Sequence, residues 1–260
     1  MVAVWSRDAY VTGGGAAEVA LIALAPGRLP DPLPVSRGRH GMPDDGEGAT
    51  SVSIVARDRE TDPAWFAERV LAPFAALIAE DLGEQAEGIA RAAAHAYVIE
   101  AKLDDPDDLG HVQAAWALAK CVCECAAEAG GEAIVIDVFA ARAHFGEEVA
   151  GWAPDRSFDV MREVTLFFDE QPDGTIAAWT LGMRKVGRPD LVLLGLAPGG
   201  ESDAALLLRD VAQTLAAGER VEPGDQLEGP TGTIATAAFE PSDAPGVPVE
   251  APALRLRKIA

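Results

Sequence analysis

Residues 164–181, VTLFFDEQPDGTIAAWTL, decide the fold class. Two apolar and β-branched runs, Val164–Phe168 and Thr175–Leu181, flank a Gln-Pro-Asp-Gly stretch at 171–174. Proline presets the backbone for a turn and glycine supplies the freedom to complete it, so the pattern predicts a β-hairpin. Residues 133–139, AIVIDVF, are apolar enough to predict a central strand. A hairpin among helical segments is typical of an α+β fold.

Other helices and strands alternate irregularly around these segments. Strands are predicted at Glu18–Ala25, Thr50–Val55, Ala94–Leu103, Leu191–Leu196, Thr231–Phe239 and Ala253–Ile259, and helices over Asp62–Gly83, Leu109–Ala129 and from Ser202 or Asp203 to Ala217. The pattern predicts an α+β fold with a mixed sheet and helices packed mainly on one face. A doubly wound parallel sheet is the alternative, but no glycine-rich turn joins a strand to a helix start.

The organisation along the chain predicts one main domain and an extension. We expect the main α+β domain over 1–196 and a C-terminal helix-plus-strand extension over 197–260, packed on the same domain. Residues 26–48 are rich in proline and glycine and predict a long loop, either mobile or functional. The alternating segment at 254–258 suggests an edge strand whose charged face would block self-association.

Composition excludes several classes of protein. The chain of 260 residues carries 42 acidic and 21 basic side chains, a formal net charge of −21. This acidity argues against binding to nucleic acid, whose phosphates would be repelled. No apolar run is long enough for a membrane-spanning helix and the first residues do not resemble a secretory leader, so we expect a cytoplasmic protein that does not bind membranes.

The only cysteines are Cys121, Cys123 and Cys125, in a segment that reads as helix. An odd, local set is not a disulfide framework and points to a reducing compartment. Helical spacing places Cys121 and Cys125 on one face and Cys123 on another, and His111 is far along the helix. We therefore expect buried thiols and predict neither a metal site nor a cofactor.

The residues around 182–190 form a basic island in an acidic chain. Arg184, Lys185 and Arg188 stand among glycines directly after a predicted strand, an arrangement that can hold a carboxylate or phosphate. A small-anion pocket there would include His95 and Asp137 as further ligand-binding candidates. The alternative is a tight link between strands whose cations neutralise neighbouring carboxylates.

The stretch from Thr180 to Leu191, TLGMRKVGRPDL, resembles the Thr-x-Gly-Met-x-x-Phe-Gly-x-Pro-Glu/Asp-Leu signature of an uncharacterised family of bacterial domains. The similarity spans about residues 15–196. Val186 stands where the family has an aromatic residue. Some members lie near genes for toxin immunity or stress functions. The resemblance therefore implies a bacterial α+β protein, with no established activity and no catalytic residue to transfer.

Motifs for catalysis are not evident. The chain contains no Gly-x-Ser-x-Gly, His-Glu-x-x-His, Walker or dinucleotide-binding pattern, and we assign no catalytic residue. Asp137 lies in the most apolar strand and needs a partner such as Arg142 or Arg184, which favours a structural ion pair.

Trp152 lies in a loop-like stretch beside Pro154, where an exposed indole would suit a protein contact and a buried one would pack on the sheet edge. We expect a non-catalytic cytoplasmic interaction protein with a basic protein partner, of the immunity or accessory type. The alternative is an enzyme or small-anion-binding protein with a pocket near 182–190.

Overall fold

The chain divides into two units in a computed structural model that describes residues 2–44, 47–229, 232–240, 242, 244, 246–249 and 252–258. Unit 1 comprises residues up to Trp5, Glu18–Leu103 and Asp108–Ser157, and unit 2 comprises Ser6–Ala17, Asp104–Asp107 and the described residues from Phe158 onward. Thr231 and Ile259, the ends of two predicted strands, lie outside the described residues.

The division between Ser157 and Phe158 differs from the boundary expected at residue 196. The predicted hairpin at 164–181 pairs with the strand after it, and that strand pairs with a strand from the C-terminal part of the chain. Residues 158–196 therefore share one sheet with the segment that we expected to be an extension.

Unit 1 is built on a five-stranded sheet. Its strands are β1 (Ala16–Ala25), β2 (Ser53–Asp58), β3 (His95–Asp104), β4 (Ile134–Asp137) and β5 (Arg142–Phe145), in the order β2-β3-β1-β4-β5. Its helices are α1 (Arg37–His40), α2 (Glu47–Thr50), α3 (Pro63–Phe66), α4 (Ala72–Leu82), α5 (Glu84–Ala92), α6 (Gly110–Glu128) and α7 (Gly146–Ala150). The predicted central strand is confirmed, because β4 is buried throughout and lies between β1 and β5.

The helical segment after β2 follows its sequence signals. Asp62 caps α3 by accepting a hydrogen bond from the Trp65 N–H, and Gly83 ends α4 with a positive φ of 88°. Pro73 lacks an N–H, and a π-helical turn at Ala67–Leu71 directly precedes it in the helix. Apolar side chains of α3, α4 and α5 pack on β1, β4 and β5 in one buried cluster.

Unit 2 is built on a six-stranded sheet. Its strands are β6 (Thr165–Glu170), β7 (Ile176–Leu181), β8 (Asp190–Leu196), β9 (Gln226–Gly229), β10 (Gly232–Phe239) and β11 (Ala253–Lys258), in the order β6-β7-β8-β11-β10-β9. Its helices are α8 (Val160–Glu163) and α9 (Glu201–Ala216), and Met183–Val186 form a 3-10 turn. The predicted hairpin is confirmed: β6 and β7 are antiparallel, and the Gln171 N–H donates to the Thr175 carbonyl at 2.7 Å.

The pairing of β11 corrects one expectation and confirms the fold class. We expected residues 254–258 at a sheet edge, but β11 lies inside the sheet, parallel to β8 and antiparallel to β10. The alternation of apolar and charged residues in this segment therefore belongs to a strand that is paired on both sides. The parallel pair makes this sheet mixed, and the helices and two sheets together confirm an α+β fold. Within the described residues, no helix is long and apolar enough to cross a membrane.

Candidate functional site

The predicted basic turn is held by a buried carboxylate. Asp190 Oδ1 accepts hydrogen bonds from Thr180 Oγ1 at 3.0 Å and from the Met183 N–H at 3.2 Å. Thr180 Oγ1 in turn accepts the Leu191 N–H at 2.8 Å. Burial raises the pKa of Asp190 to about 6, against the opposing effect of these donors. Thr180, Met183, Asp190 and Leu191 therefore form one structural network.

Lys185 points into the interior of unit 2. Its Nζ lies 3.0 Å from Glu163 Oε2 at the end of α8, and both side chains are completely buried. Each buried charge needs its partner, because an isolated ion in a protein interior is strongly disfavoured. Lys185 and Glu163 thus hold the turn against α8.

Arg188 joins three separate segments of unit 2. Its Nη1 lies 3.0 Å from Asp105 Oδ1, its Nη2 donates to the Val11 and Gly218 carbonyls, and its Nε donates to the Glu219 carbonyl. The fixed fork of a guanidinium suits such a set of acceptors. Arg188 is therefore a buried clamp on residues 11, 105 and 218–219.

Asp105 and Gly187 complete this clamp. Burial raises the pKa of Asp105, but hydrogen bonds from Arg188, the Gly14 and Gly13 N–H groups and Tyr10 outweigh it and hold the pKa below its usual value. Gly187 has a φ of +64°, and a Cβ there would lie 2.6 Å from the Gly15 carbonyl oxygen. The close approach of these two glycines requires a residue without a side chain.

The five residues proposed for an anion site have different surroundings. Arg184 alone of the three cations of the turn is exposed, while Lys185 and Arg188 face internal partners. His95 and Asp137 belong to unit 1, whereas the turn belongs to unit 2. The contacts of Lys185 and Arg188 match the alternative interpretation of this segment as a neutralised link between strands.

His95 and Asp137 have separate environments within unit 1. His95 Nε2 lies 3.4 Å from Asp58 Oδ2 across the β2–β3 pair, and its buried Nδ1 has no hydrogen-bond partner among the described residues. Asp137 is completely buried on β4, opposite Arg142, and its Oδ1 accepts the Ala140 N–H at 3.2 Å. β1 lies between the strands that carry these two residues, so they are not paired as acid and base.

The predicted interaction residue Trp152 lies in an aromatic cluster. Its ring centroid is 4.8 Å from Trp116 and 5.7 Å from His144, in edge-to-face geometry. The Arg156 guanidinium lies 4.0 Å from the Trp152 centroid and 5.2 Å from the Trp5 centroid. The indole of Trp152 is half-buried, so it combines both expectations: it packs against the unit and still meets solvent.

The aromatic cluster adjoins a small cavity of about 20 Å³, bordered by Trp5, Trp116, Trp152, Arg156, Lys120 and His40. This volume holds about one water molecule. Lys120 donates to the Ala150 carbonyl and pairs with Glu124 Oε1 at 3.0 Å, and Glu124 also faces His40 Nε2 at 3.3 Å. The His40–Glu124 contact and the ion pairs of Arg39 with Glu124 and Glu128 attach α1 to α6, so part of the predicted long loop is ordered and borders the cavity.

A larger groove of about 600 Å³ lies on the helices of unit 1. It is bordered by Ala67, Leu71, Ala72, Ala75, Ala76, Glu87 and Arg91. Glu87 and Arg91 form an i,i+4 ion pair at 2.6 Å on its rim. Small side chains line most of this open groove, and no convergent set of polar groups marks it as a catalytic pocket.

The three cysteines are buried on α6, as we expected. Burial raises the pKa of the Cys121 and Cys123 thiols to about 12 and also raises the pKa of Cys125. Thiols with raised pKa values are poor nucleophiles. Among the residues that the structure describes, no three His, Cys, Asp or Glu side chains are grouped so that they could hold a metal ion.

Sequence reasoning missed Arg156 and Trp5. The Trp5 N–H donates to Gln113 Oε1 of α6 at 3.0 Å, and the Trp5 Nε1 donates to the Arg156 carbonyl at 2.9 Å. Arg156 follows Trp152 by four residues and stands in a stretch with no periodicity. Only its closeness in sequence to Trp152 could have indicated it.

Comparisons of the chain with protein-family models, curated sequences and solved structures found no match.

Proposed function

We propose that this chain is a non-catalytic binding protein for a basic protein partner, as an immunity-type or accessory factor would be. One observation carries the proposal: several cations are turned inward while the acidic excess stays outside. Four of the 21 basic side chains, Arg7, Lys120, Lys185 and Arg188, are buried, whereas among the described residues of the 42 acidic ones only Asp137 and Glu163 are buried and the Asp190 carboxylate is largely buried. The ratio of acidic to basic side chains is therefore higher at the surface than in the chain as a whole.

Charge distribution supports the same proposal. Each unit has twice as many acidic as basic side chains in its sequence. A negative surface attracts a positively charged partner, speeds its encounter and disfavours acidic competitors. With its reduced, buried cysteines, the chain suits a reducing compartment, and we place it in the cytoplasm of a bacterium, in line with the resemblance of residues 180–191.

The alternative function, a small-anion-binding protein or enzyme at 182–190, has weaker support. Lys185 and Arg188 already face carboxylates and backbone carbonyls, so binding an anion there would require breaking buried interactions. The cavity beside the aromatic cluster has room for about one water. An interaction surface needs neither a deep cavity nor free catalytic groups.

The test is an affinity capture from the cells that naturally make the chain. The full chain and an unrelated protein of similar negative charge are immobilised in parallel, and bound proteins are eluted with increasing salt. We expect one basic protein at stoichiometric level on the chain alone, released by salt because the contact is electrostatic. The same proteins on both resins, or no basic protein on the chain, would overturn the proposal.

A further inference from the structure

Aromatic and acidic side chains share one segment of unit 1, from the end of β5 through α7 to Arg156. Phe145 is 39% exposed, Trp152 is half-buried, and Glu147, Glu148 and Asp155 are exposed. We refer to Glu147, Glu148, Trp152 and Asp155 of this segment as the 145–156 surface. Phe145 is not part of it, because Phe145 pairs with Ile134 and so lies on the opposite face of the sheet from His144, which contacts Trp152.

We propose that the 145–156 surface is the docking site for a segment of the basic partner that presents lysine or arginine side chains beside an aliphatic one. This inference rests on the proposed function and adds the place on the chain where the partner binds. Trp152 would contact the aliphatic side chain, and Glu147, Glu148 and Asp155 would face the cations. Aromatic anchors at the centre with charges at the rim are the common anatomy of protein interfaces.

The geometry of Trp152 favours this role. Its ring contacts Trp116, His144 and the Arg156 guanidinium, so the indole is fixed before any partner arrives. A side chain that is already ordered loses little conformational entropy on binding. Trp152 therefore offers contact area with a small entropic penalty.

The charges of the 145–156 surface favour a cationic partner. Glu147 and Asp155 form no ion pair among the described residues, and Glu148 faces only His144, at 3.4 Å. Burial lowers the pKa of His144, so its imidazole is neutral at pH 7 and does not neutralise Glu148. Arg156 is the opposing cation, but its guanidinium lies over the rings of Trp152 and Trp5.

A second copy of the chain fits this surface less well. In a two-fold contact the same patch meets itself, so the carboxylates of Glu147, Glu148 and Asp155 would approach their own counterparts. Like charges at a desolvated contact are unfavourable. Charge complementarity thus selects a basic partner over self-association.

The experiment titrates the full chain with two synthetic peptides. One alternates lysine with leucine and the other alternates lysine with serine, so that only the first has an aliphatic anchor. Binding is followed by the NMR signals of the indole N–H groups and by calorimetry. We expect the lysine–leucine peptide to bind more tightly and to shift the Trp152 indole signal selectively among the five tryptophans.

Three variants locate the contact. Trp152→Ala should weaken binding of the lysine–leucine peptide about thirtyfold, and Glu147→Gln with Glu148→Gln about threefold. Asp169→Asn with Glu170→Asn, at exposed positions of β6 in unit 2, removes the same charge and should change nothing. The glutamine variant changes only exposed side chains, so it tests the surface even if Trp152→Ala fails to fold.

Each other outcome overturns the inference. If the lysine–leucine peptide binds and neither the glutamine variant nor the Trp152 signal responds, the docking site is elsewhere and the proposed function stands. Equal binding of the two peptides would show general attraction to charge with no aromatic anchor. Self-association of the wild-type chain that the glutamine variant abolishes would make this surface a contact between copies. Failure of both peptides, together with a failed affinity capture, would overturn the proposed function as well.

Discussion

Lys185 Nζ lies 3.0 Å from Glu163 Oε2, and the two side chains are sealed from solvent inside unit 2. The sequence marks Lys185 as part of a surface site for anions, yet the anion that it binds is a glutamate of its own chain. A buried pair of this kind stabilises only as a pair, since either ion alone would be left uncompensated.

Breaking the pair should destabilise unit 2. Glu163→Gln leaves Lys185 buried without its counter-ion and should lower the free energy of unfolding by about 3 kcal/mol. Replacing both residues, Lys185→Met with Glu163→Leu, should recover most of the loss. Urea unfolding followed by tryptophan fluorescence measures both. The exposed pair of Arg209 with Asp210 is the control, since Asp210→Asn should leave the midpoint unchanged. Equal midpoints for Glu163→Gln and wild type would contradict the prediction.

The hydroxyl of Thr180 should be essential for the turn. Thr180→Val keeps the shape but leaves the Asp190 carboxylate without one donor and the Leu191 N–H without its acceptor, which should cost about 2 kcal/mol of stability. Thr180→Ser retains the hydroxyl and should lose much less. Thermal unfolding of the two variants side by side measures the difference. Indistinguishable variants would mean that the network has no stabilising role.

Arg188→Lys should loosen the segments that the guanidinium clamps. A lysine cannot reach Asp105, Val11, Gly218 and Glu219 together, so the variant should lose about 3 kcal/mol of stability. Hydrogen exchange should accelerate in residues 6–17 and 104–107. Arg162→Lys at an exposed position is the matched control. Unchanged exchange in residues 6–17 would show that other contacts hold this segment.

Unit 1 should lose stability as the pH falls below about 6.5, the usual pKa of histidine. Burial lowers the pKa of His144, so the unfolded chain takes up a proton in this range while the folded chain does not. Stability therefore declines between 6.5 and the lower native pKa. His144→Phe fits the aromatic surroundings and should flatten this part of the profile. Parallel profiles for the two proteins in unfolding measured across pH would contradict the assignment.

The thiols should be unreactive in the folded chain. Burial raises the pKa of Cys121 and Cys123 to about 12, so almost no thiolate exists near neutral pH. An aromatic disulfide reagent should label the native protein slowly and the urea-unfolded protein fast, at all three cysteines. Rapid labelling of the native chain would show that α6 opens readily.

Local signals in the sequence predicted local structure well. The Pro-Asp-Gly turn and the two ends of the helical segment predicted over Asp62–Gly83 depend on signals within a few residues, and the structure has the turn, the Asp62 cap and the Gly83 end at these positions. The hydrogen bonds and φ angles at these positions depend only on residues nearby in sequence, so the sequence alone predicts them.

Distant pairings escaped sequence reasoning. The parallel contact of β8 with β11 joins segments about 60 residues apart in number, and Arg188 contacts Val11 and Asp105 across still longer stretches. The aromatic cluster likewise assembles from residues 5, 116, 152 and 156. No periodicity in the sequence indicates contacts between such distant residues. The two units, the Arg188 clamp and the aromatic cluster were therefore found only from the structure.

The place of β11 between β8 and β10 has a consequence for the synthesis of the protein. On the ribosome, β8 is made long before β11, and one edge of β8 must wait open until residues 253–258 leave the exit tunnel. The sheet of unit 2 therefore closes only after residue 258 has emerged, while the strands of unit 1 are complete by residue 145. An open apolar edge of this kind is what molecular chaperones bind on nascent chains.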